Sequence, residues 1–134
     1  MEDAVERAIN NANNENITTF TYKKINHKKN LILKELFNTP NELLKKLKDY
    51  RHVDELTEIR VGCYIRWIPT HTLKLTNGGI IIKIDLTESG INISVKNNKG
   101  IIFTLKLDDN FVFQKITPQE DIILSVIDAI EQKK

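Results

Sequence analysis

The sequence predicts an α+β protein, a small antiparallel β module flanked by helices. Three observations lead there. Five runs of β-branched and aromatic residues between Val61 and Ile116 alternate apolar with polar side chains, the period-two pattern of half-buried strands. Turn formers separate the later runs: Asn77-Gly78-Gly79, Glu88-Ser89-Gly90, Asn97 to Gly100, and Asp108-Asp109-Asn110. On either side of this region, apolar residues recur at helical spacing instead.

Residues 2–14 place Ala4, Val5, Ala8, Ile9 and Ala12 on one helical face before an Asn-rich stretch ends the pattern. Residues 17–25 (ITTFTYKKI) are rich in β-branched and aromatic residues and read as a short strand, with Phe20 and Tyr22 on one face. Residues 28–38 then carry Leu31, Ile32 and Leu36 at helical spacing. Thr39-Pro40-Asn41-Glu42 follows as a helix start, because Thr39 can cap, Pro40 suits the first turn and Glu42 stands at the capping-box position. With Leu43, Leu44 and Leu47 behind it, residues 40–50 are expected to be helical.

The β module comes next. In Val61–Ile68, Val61, Cys63, Ile65 and Trp67 share one face, with Gly62, Tyr64, Arg66 and Ile68 on the other. Pro69 ends this strand because it cannot donate to a ladder. The expected inward residues of the next three strands are Ile80, Ile82, Ile84 and Leu86, then Ile91, Ile93 and Val95, then Ile101, Phe103, Leu105 and Leu107. Phe111–Ile116 is the fifth. Short connections make such strands antiparallel neighbours, and five strands with one apolar face each must curl or find a cover. Thr117-Pro118-Gln119-Glu120 repeats the capping-box grammar before Ile122, Ile123, Val126, Ile127 and Ile130. A helix over 118–131 is expected to close the module. The expected architecture is a small five-stranded antiparallel barrel of the SH3 or Tudor type, flanked by N-terminal helices and a C-terminal helix. A flat antiparallel sheet with helices on one face is the alternative. Residues 1–55 form a helical N-terminal segment and 56–134 the barrel with its closing helix, packed as one unit.

At 134 residues and 15.5 kDa the chain suits a single domain. The N-terminus opens on Glu2, Asp3 and Glu6, without the apolar core of a signal peptide, and no apolar run approaches a membrane span. A lone cysteine, Cys63, points to a reducing, intracellular setting. Ile, Lys and Asn supply 50 of the 134 residues; their codons are rich in A and T, so the bias reports the source genome rather than the fold.

A net charge of +2 conceals a split. Residues 1–20 hold four acidic groups against one basic, and residues 53–134 hold eleven acidic against ten basic. Residues 21–52 hold nine basic groups (Lys23, Lys24, Lys28, Lys29, Lys34, Lys45, Lys46, Lys48 and Arg51) against three acidic ones. That segment is the candidate electrostatic surface. Its lysines could neutralise phosphates while Tyr22 and Tyr50 stack on bases. A pair of solvated lysine-rich helices accounts for the same pattern, and a sequence pI of about 8.6 is modest for a dedicated nucleic-acid binder.

Catalytic signatures are sparse. His27, His52 and His71 lie in three different segments, so no metal site and no cofactor is expected. A Cys63–His71 pair lacks a third orienting group, and Asn77-Gly78-Gly79 lacks the Lys-Ser/Thr of a phosphate loop. Binding is better represented. Tyr64 and Arg66 share the outward face of the first module strand, Trp67 adds a large aromatic surface unless it is core, and His71 lies in the long loop after Pro69. These four are the candidate partner-binding residues.

Three phrases, Val61 to Ile68, Leu75 to Ile80 and Phe113 to Glu120, resemble those of small proteins encoded by large nucleocytoplasmic DNA viruses. The resemblance covers roughly the C-terminal 75 residues and implies a viral accessory or virion component, without supplying site residues. The expectation is a non-enzymatic protein–protein interaction module whose partner is another protein, a virion or assembly component, with no membrane contact. The contrasting expectation is a nucleic-acid-binding protein using residues 21–52.

Overall fold

The computed structural model describes residues 20–132. The helix expected over 2–14 and the first residues of the strand expected over 17–25 lie outside that range.

Helix α1 spans Tyr22–Leu36, so residues 22–25 of the expected strand are helical. Thr21 is its cap: the extended Thr21 backbone lets Oγ1 accept from the Lys24 N–H at 3.1 Å. Thr21, one of the β-branched residues that suggested a strand, thus starts the helix instead. Leu33 is fully buried while Leu31 is 57 % exposed, which turns the helix away from the face its leucines alone suggested. Helix α2 is short, Asn41–Lys46, and begins at Pro40 with no side-chain cap. The Thr39 capping box expected from the sequence is therefore not formed. The chain leaves helix at Leu47 and enters strand β1, Tyr50–Val53, in a stretch expected to be helical.

The remaining strands are β2 (Tyr64–Pro69), β3 (Gly79–Thr87), β4 (Gly90–Lys96), β5 (Ile102–Lys106) and β6 (Asn110–Lys115). They form one antiparallel six-stranded sheet in the order β1-β6-β2-β3-β4-β5. The expected five-stranded closed barrel is thereby corrected to an open sheet. The reason is topological: β1 pairs along one side of β6 and β2 along the other. No edge of β6 remains for β5 to close on. The sheet nevertheless coils, and Val53 of β1, Ile65 and Trp67 of β2, Ile81 of β3, Ile93 and Val95 of β4 and Leu105 of β5 belong to one apolar core.

The strand β3 departs from strict alternation. A bulge between Ile81 and Lys83 lets two residues of β3 oppose one step of β4. Ile81 is consequently buried and Ile82 is 40 % exposed, the reverse of the sequence expectation; Ile80 and Leu86 are exposed too. At the entry to β3, Gly78 (φ +85°) lies so close to β2 that a Cβ would collide with the Ile65 carbonyl.

The opposite face of the sheet carries the helices. Ile68 and Phe113 pack with Leu33 of α1 and Leu47, so β2 and β6 are buried on both sides. Helix α3, Pro118–Gln132, forms as expected, but it docks Ile123 and Leu124 against Ile25 of α1 with Phe20 and Tyr22 beside them. It braces α1 rather than plugging a barrel end, and Ile130 remains 53 % exposed. No helix among the described residues is long and apolar enough to cross a membrane.

Candidate binding cleft

Where α1, the start of β2 and the β6–α3 corner meet, the surface opens into a cleft of about 850 Å³. Its floor is apolar: Ile25 from α1, Cys63 from the start of β2, Ile80 from β3 and Ile116 after β6. Its charged lining is of both signs, exposed Lys48 and Lys115 with Asp49 and Asp121. Tyr22 and Tyr64 also line it. A volume in this range and an apolar floor under a few polar groups are what binding pockets offer.

Local structure fixes both tyrosines. The Tyr22 hydroxyl donates to the Asp121 carboxylate and shares a 3.0 Å hydrogen bond with Ser125 Oγ. Burial, and then the Asp121 carboxylate, hold its phenol above the ordinary tyrosine range. It therefore stays a neutral donor across physiological pH. The Tyr64 hydroxyl donates to the Asn77 carbonyl at 2.8 Å, and Arg66 Nε donates to the Thr76 carbonyl at 2.8 Å. Thr76 completes the tie, donating its N–H to the Trp67 carbonyl at 3.0 Å. Tyr64 and Arg66 thus hold the return of the loop after Pro69 against β2, and only Tyr64 reaches the cleft.

The other candidate residues are scattered by the fold. Trp67 is buried in the inner core, and its largest surface is unavailable to a partner. His71 is exposed in the loop, away from the cleft lining. No hydrogen bond joins it to buried Cys63 among the described residues. Among those residues, too, no three His, Cys, Asp or Glu side chains gather as a metal site would require.

Two of the nine basic groups of residues 21–52 are interior. Lys29 donates Nζ to the carbonyls of Leu47 (2.7 Å), Lys48 (3.3 Å) and Tyr50 (2.9 Å), pinning the chain where it turns from α2 into β1. Burial lowers its ammonium below the ordinary lysine range, and Asp49 opposes that shift. Arg51 is 3 % exposed between Glu58 and Glu120, at 3.3 and 3.4 Å, with the Phe20 ring 5.5 Å from its guanidinium carbon. Lys23, Lys24, Lys45, Lys46 and Lys48 are exposed, and half-buried Lys28 pairs with Asp54 at 3.3 Å.

Sequence reasoning missed most of the cleft. Ile25, Ile80, Ile116 and Asp121 are distant in sequence and meet only because α3 folds back on α1. The single legible signal was Tyr64, an aromatic on the polar face of a strand. Comparison with protein-family models, curated proteins and solved structures finds no match to this chain.

Proposed function

We propose that this chain is a non-enzymatic protein-interaction module that seats a segment of another protein in the cleft between α1, β2 and the β6–α3 corner. The carrying observation is the cleft itself: an apolar floor, two lining tyrosines and a rim of mixed sign, Lys48 and Lys115 with Asp49 and Asp121. Tyrosines in partly enclosed pockets are frequent binding anchors. A rim of mixed sign suits a polypeptide carrying both charges, whereas a polyanion would meet two carboxylates. The resemblance to proteins of large DNA viruses adds the reading that the partner belongs to a virion or its assembly.

A second reading, nucleic-acid binding by residues 21–52, rests on the exposed lysines of α1 and α2. Burial of Lys29 and Arg51 reduces that surface. One experiment separates the two. Partner capture with mass-spectrometric identification is run for the native protein, for Tyr64→Ala/Ile80→Glu, and for Lys23→Glu/Lys45→Glu/Lys46→Glu, exposed lysines outside the cleft lining. Loss of a reproducible partner in the cleft variant alone supports the cleft. Loss in the lysine variant alone, with retention on DNA that falls steeply with salt, overturns it.

A further inference from the structure

The two edges of the sheet are treated differently. At β1, Arg51, His52 and Val53 are buried, and the Lys29 ammonium occupies the Tyr50 carbonyl. At β5 nothing pairs with the outer edge among the described residues. That edge is also apolar: Ile101, Ile102 and Phe103 are 50 %, 59 % and 45 % exposed. Monomeric proteins usually protect such a strand with charge, proline or a bulge, and β5 carries only Lys106.

We propose that β5 pairs with the β5 of a second copy, antiparallel and centred on Thr104, to form a twofold dimer with a continuous sheet. Three features of the strand converge on this register. The Ile101 carbonyl turns toward β4, where it accepts from the Asn97 N–H at 2.9 Å. By alternation the outward-pointing backbone groups belong to Ile102, Thr104 and Lys106. A pairing centred on Thr104 uses those residues, with Thr104 facing its own copy and Ile102 facing Lys106.

Side chains fit the same axis. Phe103 comes opposite Leu105 of the second copy on the inner face, extending the core across the junction. Ile102 lies along the aliphatic stem of the opposing Lys106, and no like charges are placed opposite each other.

The strand is also electrically polar end to end. Lys99 precedes it in the turn Asn97 to Gly100, and Asp108-Asp109 follow it in a 3-10 turn. All three are exposed. Antiparallel pairing brings the Lys99 turn of each copy toward the Asp108-Asp109 turn of the other, twice across the axis. A parallel arrangement would set like charges together. Because this pairing consumes the one open sheet edge among the described residues of each copy, it closes at two and does not propagate.

The test is sedimentation of the full chain from micromolar to millimolar concentration. The expected result is a concentration-dependent monomer–dimer equilibrium. Thr104→Pro removes an outward N–H at a position where an edge strand tolerates proline, and is expected to leave a folded monomer throughout. Lys99→Glu is expected to raise the dissociation constant several-fold, and Lys99→Glu/Asp109→Lys to restore it. The charge pair lies outside the strand, so it reports on the register even where Thr104→Pro does not fold. A native chain that stays monomeric at millimolar concentration, or a dimer indifferent to both the proline and the charge exchange, overturns the proposal.

Discussion

Arg51 and Glu120 stand 69 positions apart in sequence and 3.4 Å apart in space, both almost wholly buried. With Glu58 at 3.3 Å from the guanidinium's other terminal nitrogen, they tie β1, the 3-10 turn Leu56–Glu58 and α3 into one unit. Gln114 adds to it, donating Nε2 to the Glu58 carbonyl at 3.0 Å and accepting from the Arg60 N–H at 3.1 Å. Burial holds the Glu58 carboxyl above the ordinary range, with the Lys28 charge opposing. Such an ion network gains little over well-packed apolar residues, but losing one partner strands the others.

Arg51→Ala should therefore cost about 3–5 kcal/mol, because two carboxylates are left buried around the space it vacates. Replacing the whole network, Arg51→Met with Glu58→Gln and Glu120→Gln, should cost much less. Urea denaturation of the two variants beside the native protein measures the difference. A loss below about 1 kcal/mol for the single variant would show that the carboxylates reach water.

Glu120 also serves the cap of α3. Its N–H donates to Thr117 Oγ1 at 3.1 Å, while its own Oε1 accepts from the Thr117 N–H at 2.9 Å, the reciprocal capping box expected from the sequence. Thr117→Ala should cost about 1 kcal/mol. Thr39→Ala, at the sequence's other capping box, should change stability by less than about 0.5 kcal/mol, since α2 starts at Pro40 without a side-chain cap. Equal losses at the two threonines would contradict this distinction.

His52 makes stability depend on pH. It is 9 % exposed, edge-on to Phe113 at 5.5 Å, and its Nδ1 has no hydrogen-bond partner among the described residues. Burial is the main cause, and the Lys28 ammonium the second, of a pKa lowered from 6.5 to about 4; Asp54 opposes both. The unfolded chain therefore takes up the proton first as pH falls. Stability is full above 6.5, declines below it, and has lost this contribution near 4. The shift corresponds to roughly 3 kcal/mol at the low end of that window. Glu58 acts in the opposite sense, because its raised pKa favours the folded state as it protonates. Denaturation profiles at several pH values should show a shallower decline for His52→Gln than for the native chain; parallel profiles would remove His52 as the cause.

What the sequence made legible is the part of the fold governed by local pattern. Ile65 and Trp67 lie on the inner face as their alternation predicted, Ile93 and Val95 likewise, and α3 begins at its capping box. Strand β1 escaped because its four residues include Arg51 and His52, which read as solvent-facing. Arg51 is buried only because Glu58 and Glu120 come to it from elsewhere. The open sheet stood only as the alternative for the same reason, since β1 occupies the edge a barrel would have closed. The cleft depends on α3 crossing α1, a long-range packing no periodicity encodes.

The bulge in β3 gives the most direct test of the register. From Ile80 to Leu86 a strict alternation puts Ile80, Ile82, Ile84 and Leu86 on the buried face. The bulge between Ile81 and Lys83 instead turns Ile81 into the core at 0 % exposure, opposite Val95 of β4, and leaves Ile82 at 40 %. Burying an aliphatic side chain stabilises by about 1.5–3 kcal/mol, and a carboxylate at the same place adds the cost of an unpaired buried charge. Ile81→Asp should therefore abolish cooperative folding, while Ile82→Asp should remain folded and lose no more than about 1 kcal/mol. Thermal melts followed by circular dichroism decide it. The opposite order, with Ile82→Asp the damaging change, would restore strict alternation and remove the bulge from β3.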